Sequence, residues 1–162
     1  MSIVKSSTIV DDTIKKMKKN PNTADFWDAL IAKVERIFPE DHITKDRIKS
    51  IASLIPNRNI AVLDIGVGYG FLEKKLEESN ISIYGIDISP KSVFRAKNLY
   101  RGTFVIASAK AIPFKNNFFD IVCIPEVLEH LYDVESTLAI KEISRVLKSD
   151  GRLIISVPLY DE

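Results

Sequence analysis

The chain has a single cysteine, Cys123, so it can form no internal disulfide and no cysteine-rich metal site. Neither sign of charge is in excess. Lys and Arg number 23 against 22 Asp and Glu, which removes the global field that draws proteins to nucleic acid or acidic membranes. No apolar run approaches the length needed to span a bilayer. The N-terminus lacks the apolar core of a secretory signal, since Lys5 and the cluster Lys15, Lys16, Lys18 and Lys19 stand among polar residues. Together these absences lead us to expect a cytoplasmic protein. Histidine is scarce as well, with only His42 and His130. What remains is a chain of 162 residues that is 46% apolar and 28% charged, a balance that suits one globular unit with a sizeable core.

Residues 1–56 are expected to form a polar, Lys-rich arm followed by a helical cap. Phe26, Ala29, Leu30, Val34 and Ile37 recur at helical spacing between Asp25 and Phe38. Thr44 suits an N-cap for a second helix, which carries Ile48, Ile51, Ala52 and Ile55 and stops at Pro56. His42 reads as a surface or helix-start residue.

From residue 57 to 162 the pattern changes. Short apolar runs at Ile60–Ile65, Ile81–Ile86, Thr103–Ala107, Asp120–Ile124 and Arg152–Val157 alternate with helical stretches at Phe71–Ser79, Pro90–Tyr100 and Val134–Leu147. Ser89-Pro90 reads as an N-cap followed by proline at the first helical position. Asp150-Gly151 reads as the turn into the fifth strand. Alternating strands and helices predict an α/β fold, a doubly wound, mainly parallel sheet covered on both faces. Cys123 falls within the fourth strand and is expected to be a small core residue.

The chemistry of such a sheet gathers outside the carboxyl ends of its strands. The first strand there runs into Asp64-Ile65-Gly66-Val67-Gly68-Tyr69-Gly70. Glycine permits a tight turn and a close approach of backbone to ligand. A dinucleotide fingerprint needs G-x-G-x-x-G, and counting from Gly66 puts Phe71 in its last place. That disfavours a nicotinamide-dependent oxidoreductase. Asp64 would repel a phosphate at the same spot. A phosphate-free cation fits better, and S-adenosylmethionine, with its sulfonium and ammonium, is such a ligand. Asp87 ends the second strand about where a ribose-binding acid is expected.

With both features placed, the sequence resembles the class I S-adenosylmethionine-dependent methyltransferases over about Ile60–Pro158. Val62–Gly70 looks like that family's first motif and Gly85-Ile86-Asp87-Ile88-Ser89 like its second. Ala107–Phe114 is similar to the adenine-contacting segment and Pro125–Leu131 to the segment after strand four. Glu142–Lys148 and Gly151–Ile155 complete the order. The nearest flavour is the small-molecule branch that includes quinone-biosynthesis enzymes.

The resemblance implies a Rossmann-like fold, S-adenosylmethionine as cofactor and a small-molecule methyl acceptor. It implies that Gly66, Gly68 and Gly70 lie along the methionine part and that Asp64 is near its ammonium. Asp87 takes the ribose, Ile88 packs on adenine, and Ser108 and Ala109 reach the adenine edge. An Asp is common in the family at position 108, and Ser108 loses that charge assistance.

Glu126, Glu129 and His130 form E-x-x-E-H and would share one face if helical. Here the alternatives stay open. His130 could act as general base for a hydroxyl acceptor, and this is the catalytic role we assign. Glu126 could help hold the methionine group. The three could hold a divalent cation, as in some related O-methyltransferases and RNA-end methyltransferases, but such sites usually take more ligands, so no metal is assigned. They could also simply orient the next helix. Phe26, Trp27 and Tyr69 are candidates to line the acceptor pocket, and Phe26 and Trp27 could equally pack the N-terminal helices onto the sheet.

The family's sheet normally continues for two strands past the fifth. The chain is therefore expected to be a fragment or a reduced form, with the fifth strand as an apolar edge open to pairing with a second copy. The competing function is a cofactor-binding module without transferase activity of its own.

Overall fold

The computed structural model describes residues 23–34 and 42–158. The Lys-rich arm and Ile37 lie outside the described residues. Helix α1 (Ala24–Val34) and helix α2 (His42–Ser53) precede the sheet. The second begins two residues before Thr44, which therefore lies inside the helix rather than capping it.

Five strands follow: β1 (Ile60–Ile65), β2 (Ile81–Asp87), β3 (Thr103–Ile106), β4 (Phe119–Pro125) and β5 (Leu147–Ser156). They are joined by α3 (Phe71–Leu76), α4 (Pro90–Leu99) and α5 (Asp133–Val146), with a 3-10 turn at Leu128–His130 before α5. The spatial order is β3-β2-β1-β4-β5 and all pairs are parallel. This is the expected doubly wound sheet, with its switch point between β1 and β4.

Alternation along β1 divides the core. Val62 faces one side with Ile121 and Cys123 of β4, Leu72 and Leu76 of α3, Val93 and Ala96 of α4, and Ile51 of α2. Leu63 and Ile65 face the other side with Val122, Ile124 and Ala139, Ile143 and Val146 of α5. Cys123 is a fully buried core residue, as expected. Asp64 has the same parity as Val62 and is the one charged interruption of this strand.

Helix α3 is three residues shorter than its sequence pattern suggested. The entry to β5 also differs. The chain passes from Val146 straight into pairing at Leu147, opposite Phe119, and the next pair is Ile121 with Arg152. Residues 148–151 bulge out against Asp120 instead of forming a separate turn. Lys148 Nζ donates to Asp120 Oδ1 at 2.7 Å and fixes the bulge.

Candidate active site

The loop after β1 turns sharply because three glycines adopt left-handed backbone: Gly66 (φ 89°), Gly68 (φ 52°) and Gly70 (φ 75°). A Cβ on Gly66 would stand 2.4 Å from Val127 Cγ2, and one on Gly70 would stand 2.4 Å from the Tyr100 ring. At Gly68 the nearest neighbour would be the Gly66 carbonyl at 3.8 Å. Gly66 and Gly70 are thus closed in by protein, while Gly68 faces open space, where a ligand can meet bare backbone.

Asp87 closes the loop from below. Gly68 N donates to Asp87 Oδ2 at 2.9 Å and Ser89 N donates to Asp87 Oδ1 at 2.8 Å. Each carboxylate oxygen therefore keeps a lone pair for another donor, such as a ribose hydroxyl. Burial raises the Asp87 carboxyl, while the Gly68 and Ser89 amides pull it back down. Ile88 is half-buried beside it. The next segment is tied in through Ala107 N, which donates to the Asp87 carbonyl at 3.0 Å. Ser108 Oγ accepts from Lys110 N at 3.2 Å and keeps its own hydrogen to donate. The Ala109 side chain is buried in the core, so only its backbone is available to a ligand.

Asp64 is 3% exposed and faces Glu73 of α3, which is 0% exposed. Asp64 Oδ1 and both Glu73 oxygens have no hydrogen-bond donor from another residue. Burial raises Asp64 to about 7, and burial together with the Asp64 charge drives Glu73 well above the usual carboxylate range. Sequence reasoning missed Glu73. In Phe71-Leu72-Glu73-Lys74-Lys75 it reads as part of a solvated helix face, and only the short loop turns it inward.

The segment after β4 departs from a shared helical face. Glu126 is left-handed (φ 53°) and precedes the 3-10 turn that carries Glu129 and His130. Glu126 ion-pairs with Arg47 of α2 and accepts from Ser156 Oγ at 3.2 Å. Burial raises Glu129 to about 7, with the Glu126 charge adding to the rise, and its Oε2 is buried without a hydrogen-bond partner. His130 Nε2 lies 4.0 Å from Glu129 Oε1, and its ring meets the Trp27 ring at 4.7 Å between centroids. Among the described residues no group of three or more His, Cys, Asp or Glu is placed to hold a metal ion.

Helix α1 lies over the opening. Asp28 accepts from Ser89 Oγ and from Lys91 N (3.3 Å), so it caps α4 from outside. Tyr69 of the glycine loop donates its hydroxyl to the Ile31 carbonyl at 2.9 Å. Trp27 faces His130 while Phe26, Leu30 and Ile31 are buried. On the far side, Arg145 donates to the Ile112 and Phe114 carbonyls at 2.7 Å each, and Glu142 accepts from Ile112 N at 2.8 Å. That pair holds the segment carrying Ser108 and explains why acid and base stand three residues apart on α5.

The donors here suit a cationic nucleoside. The site has an open backbone turn, a ribose-competent carboxylate and two buried acids. Residues 63–155 match the family model described as a methyltransferase domain. A ubiquinone biosynthesis O-methyltransferase of Pelagibacter ubique (strain HTCC1062) is 34% identical over 122 residues, covering 72% of this chain and 49% of that protein. A ubiquinone/menaquinone biosynthesis C-methyltransferase of Rickettsia bellii (strain OSU 85-389) is 35% identical over 113 residues, covering 62% of this chain and 45% of its own length. Among solved structures, a candidate S-adenosyl-L-methionine-dependent methyltransferase of Methanococcus maripaludis superposes with a TM-score of 0.65 at 25% identity, covering 87% of this chain and 67% of that one.

Fold and site together define a Rossmann-like domain of the class I, S-adenosylmethionine-dependent type. The chain belongs to the methyltransferase domain family. It spans about half the length of the two quinone-biosynthesis relatives.

Proposed function

We propose that the chain is an S-adenosylmethionine-dependent methyltransferase acting on a small-molecule acceptor. The observation that carries this reading is the Asp87 carboxylate, held by Gly68 N and Ser89 N directly under the open face of the glycine turn. Asp87 would bind the ribose hydroxyls, Ile88 would pack against adenine, and Ser108 with the Ala109 backbone would meet its edge. The Gly66–Gly70 backbone and Asp64 would hold the methionine end. Glu126, already engaged by Arg47, would act there by orienting Arg47 and the end of β5. S-adenosylmethionine bound at this place supplies an electrophilic methyl group. The protein contributes alignment and exclusion of water.

Trp27 and His130 line one side of the opening under α1. His130 would accept the proton of a hydroxyl acceptor, with Glu129 beside it. The two quinone-biosynthesis relatives support a small, ring-bearing acceptor, and their names divide between O- and C-methylation. Residues 57–162 would form the cofactor-binding unit and residues 1–56 its cap. We place the activity in the cytoplasm on the balanced charge of the chain. No helix among the described residues is long and apolar enough to cross a membrane.

We also propose that β5 pairs with a second copy. It is an edge strand of ten residues, with Ile155 exposed. A dimer in light scattering would support this, and a monodisperse monomer would reject it.

The reading is tested with two variants. Asp87→Ala should weaken S-adenosylmethionine binding at least tenfold, since it removes a charge-assisted acceptor. His130→Ala should leave that binding intact and lower methyl transfer to a phenolic acceptor by about 100-fold. Unchanged binding in the Asp87 variant would sink the cofactor assignment.

A further inference from the structure

Three carboxyl groups crowd beneath the glycine turn. Asp64 comes from β1, Glu73 from α3 and Asp87 from the end of β2. Asp87 has two backbone donors, whereas the Asp64–Glu73 pair has almost no exposure and three oxygens without a donor from another residue. The pair sits on the apolar face of the sheet with Val62, Ile121, Cys123 and Leu72. Two carboxylates left bare in such surroundings cannot both be ionised. A proton between them is the one donor the pair can supply for itself.

From this juxtaposition we infer that Asp64 and Glu73 form a proton-holding pair that makes binding of the cationic cofactor release a proton. The inference rests on the proposed cofactor reading and deepens it. In the free protein the pair keeps at least one proton, and Glu73 donates to Asp64. When a positive group arrives beside Asp64, it favours the ionised carboxylate, and the proton leaves to solvent. Glu73 is thus a positioning residue that sets the charge of Asp64 without itself touching substrate.

The surrounding groups agree with this division. Burial raises both acids and the Asp87 charge raises each further; the Asp64 charge also raises Glu73, whereas the hydrogen bond from Glu73 lowers Asp64 in part. Cys123 of β4 faces the same pocket, and its thiol is pushed up by burial and by both acids. Past the end of α4, Tyr100 is raised by burial and feels Arg95, Lys74, Glu73 and Glu77. Of these neighbours Lys74 and Arg95 carry positive charge, yet Asp64 and Glu73 remain shifted toward the protonated form.

Calorimetry of S-adenosylmethionine binding in buffers of different ionisation enthalpy, at pH 6, 7 and 8, tests the inference. The wild type should release a substantial fraction of one proton near pH 7. Its affinity should rise with pH by up to about tenfold per unit. Glu73→Gln keeps the shape and a neutral donor for Asp64 but has no carboxyl proton to give up, so both effects should shrink sharply. The ligand's own α-amino group, which titrates near 8, contributes equally to both proteins and cancels in the comparison. Carbon-13 NMR of the free wild-type protein supplies a readout that needs neither ligand nor variant: one Glu carboxyl should stay protonated at pH 7.

Binding with no proton release, equal in the two proteins, would overturn the linkage while leaving the cofactor reading intact. A fully ionised pair in the NMR titration would overturn it as well. Absence of any binding would overturn the linkage and the cofactor reading together, and a carboxyl proton still visible by NMR would tell that failure from the others.

Discussion

Gly66 and Gly68 look alike in sequence, yet the structure gives them different tasks. Both need left-handed backbone, which costs a side-chain-bearing residue roughly 1–2 kcal/mol. Gly66 is also pressed against Val127, whereas Gly68 faces open space. Gly66→Ala should therefore destabilise the fold by about 2–4 kcal/mol, the clash adding to the backbone cost. Gly68→Ala should cost only about 1–2 kcal/mol and yet abolish cofactor binding, because its methyl group would fill the space the ligand needs. Urea unfolding beside binding calorimetry separates the two. Equal stability losses would refute the distinction. The glycines and Asp87 were legible in the sequence because turn geometry demands those residue types at those places. Glu73 and Arg47 were not, because nothing local marks an acid or a base on a helix whose facing is decided by long-range packing.

Helix α1 packs beyond the carboxyl ends of the strands, against the glycine loop, the start of α4 and His130. Its docking depends on Asp28, which reinforces the expected Ser89 N-cap of α4 from another part of the chain by accepting from Ser89 Oγ and Lys91 N. Asp28→Ala should cost about 1 kcal/mol and speed amide exchange in Ala24–Val34 and in the first turn of α4, leaving β1 and β4 protected. Exchange unchanged in α1 would mean that Phe26, Leu30 and Ile31 hold the helix alone.

The sequence pattern predicted this helix from Phe26, Ala29 and Leu30, but its polar docking is long-range and leaves no local trace. The same limit explains the E-x-x-E-H segment. Helical spacing suggested one face, whereas strand pairing carries through Pro125 and leaves Glu126 in left-handed backbone. Glu126 therefore turns to Arg47 and Ser156 while Glu129 and His130 start a separate turn. The bulge at residues 148–151 was likewise hidden, since its register is set by Asp120 across the sheet.

At the scale of the whole molecule, the raised acids link stability to pH. Asp64 and Glu129 both stand near 7 when folded, against roughly 4 in the unfolded chain. A carboxyl whose folded value is raised binds more protons in the folded state between those limits. Its stabilisation is complete below about pH 4 and is lost as pH rises through about 7. Wild type should therefore lose more stability between pH 5 and pH 8 than Asp64→Asn does, by at most about 3 kcal/mol. Thermal melts of both proteins at the two pH values measure this, and parallel losses would contradict the burial of a titrating Asp64. The parallel sheet with two covered faces was legible from short apolar runs alternating with helical stretches, whereas the order β3-β2-β1-β4-β5 was not, since which strands pair is decided across the sheet.

The central claim is that this site takes a phosphate-free cationic nucleoside. Its most direct measurement is calorimetric titration of the full chain with S-adenosylmethionine and, separately, with NAD. The account predicts one S-adenosylmethionine bound per chain and no heat of binding from NAD. Binding of NAD, or no binding of S-adenosylmethionine by folded protein, would contradict it.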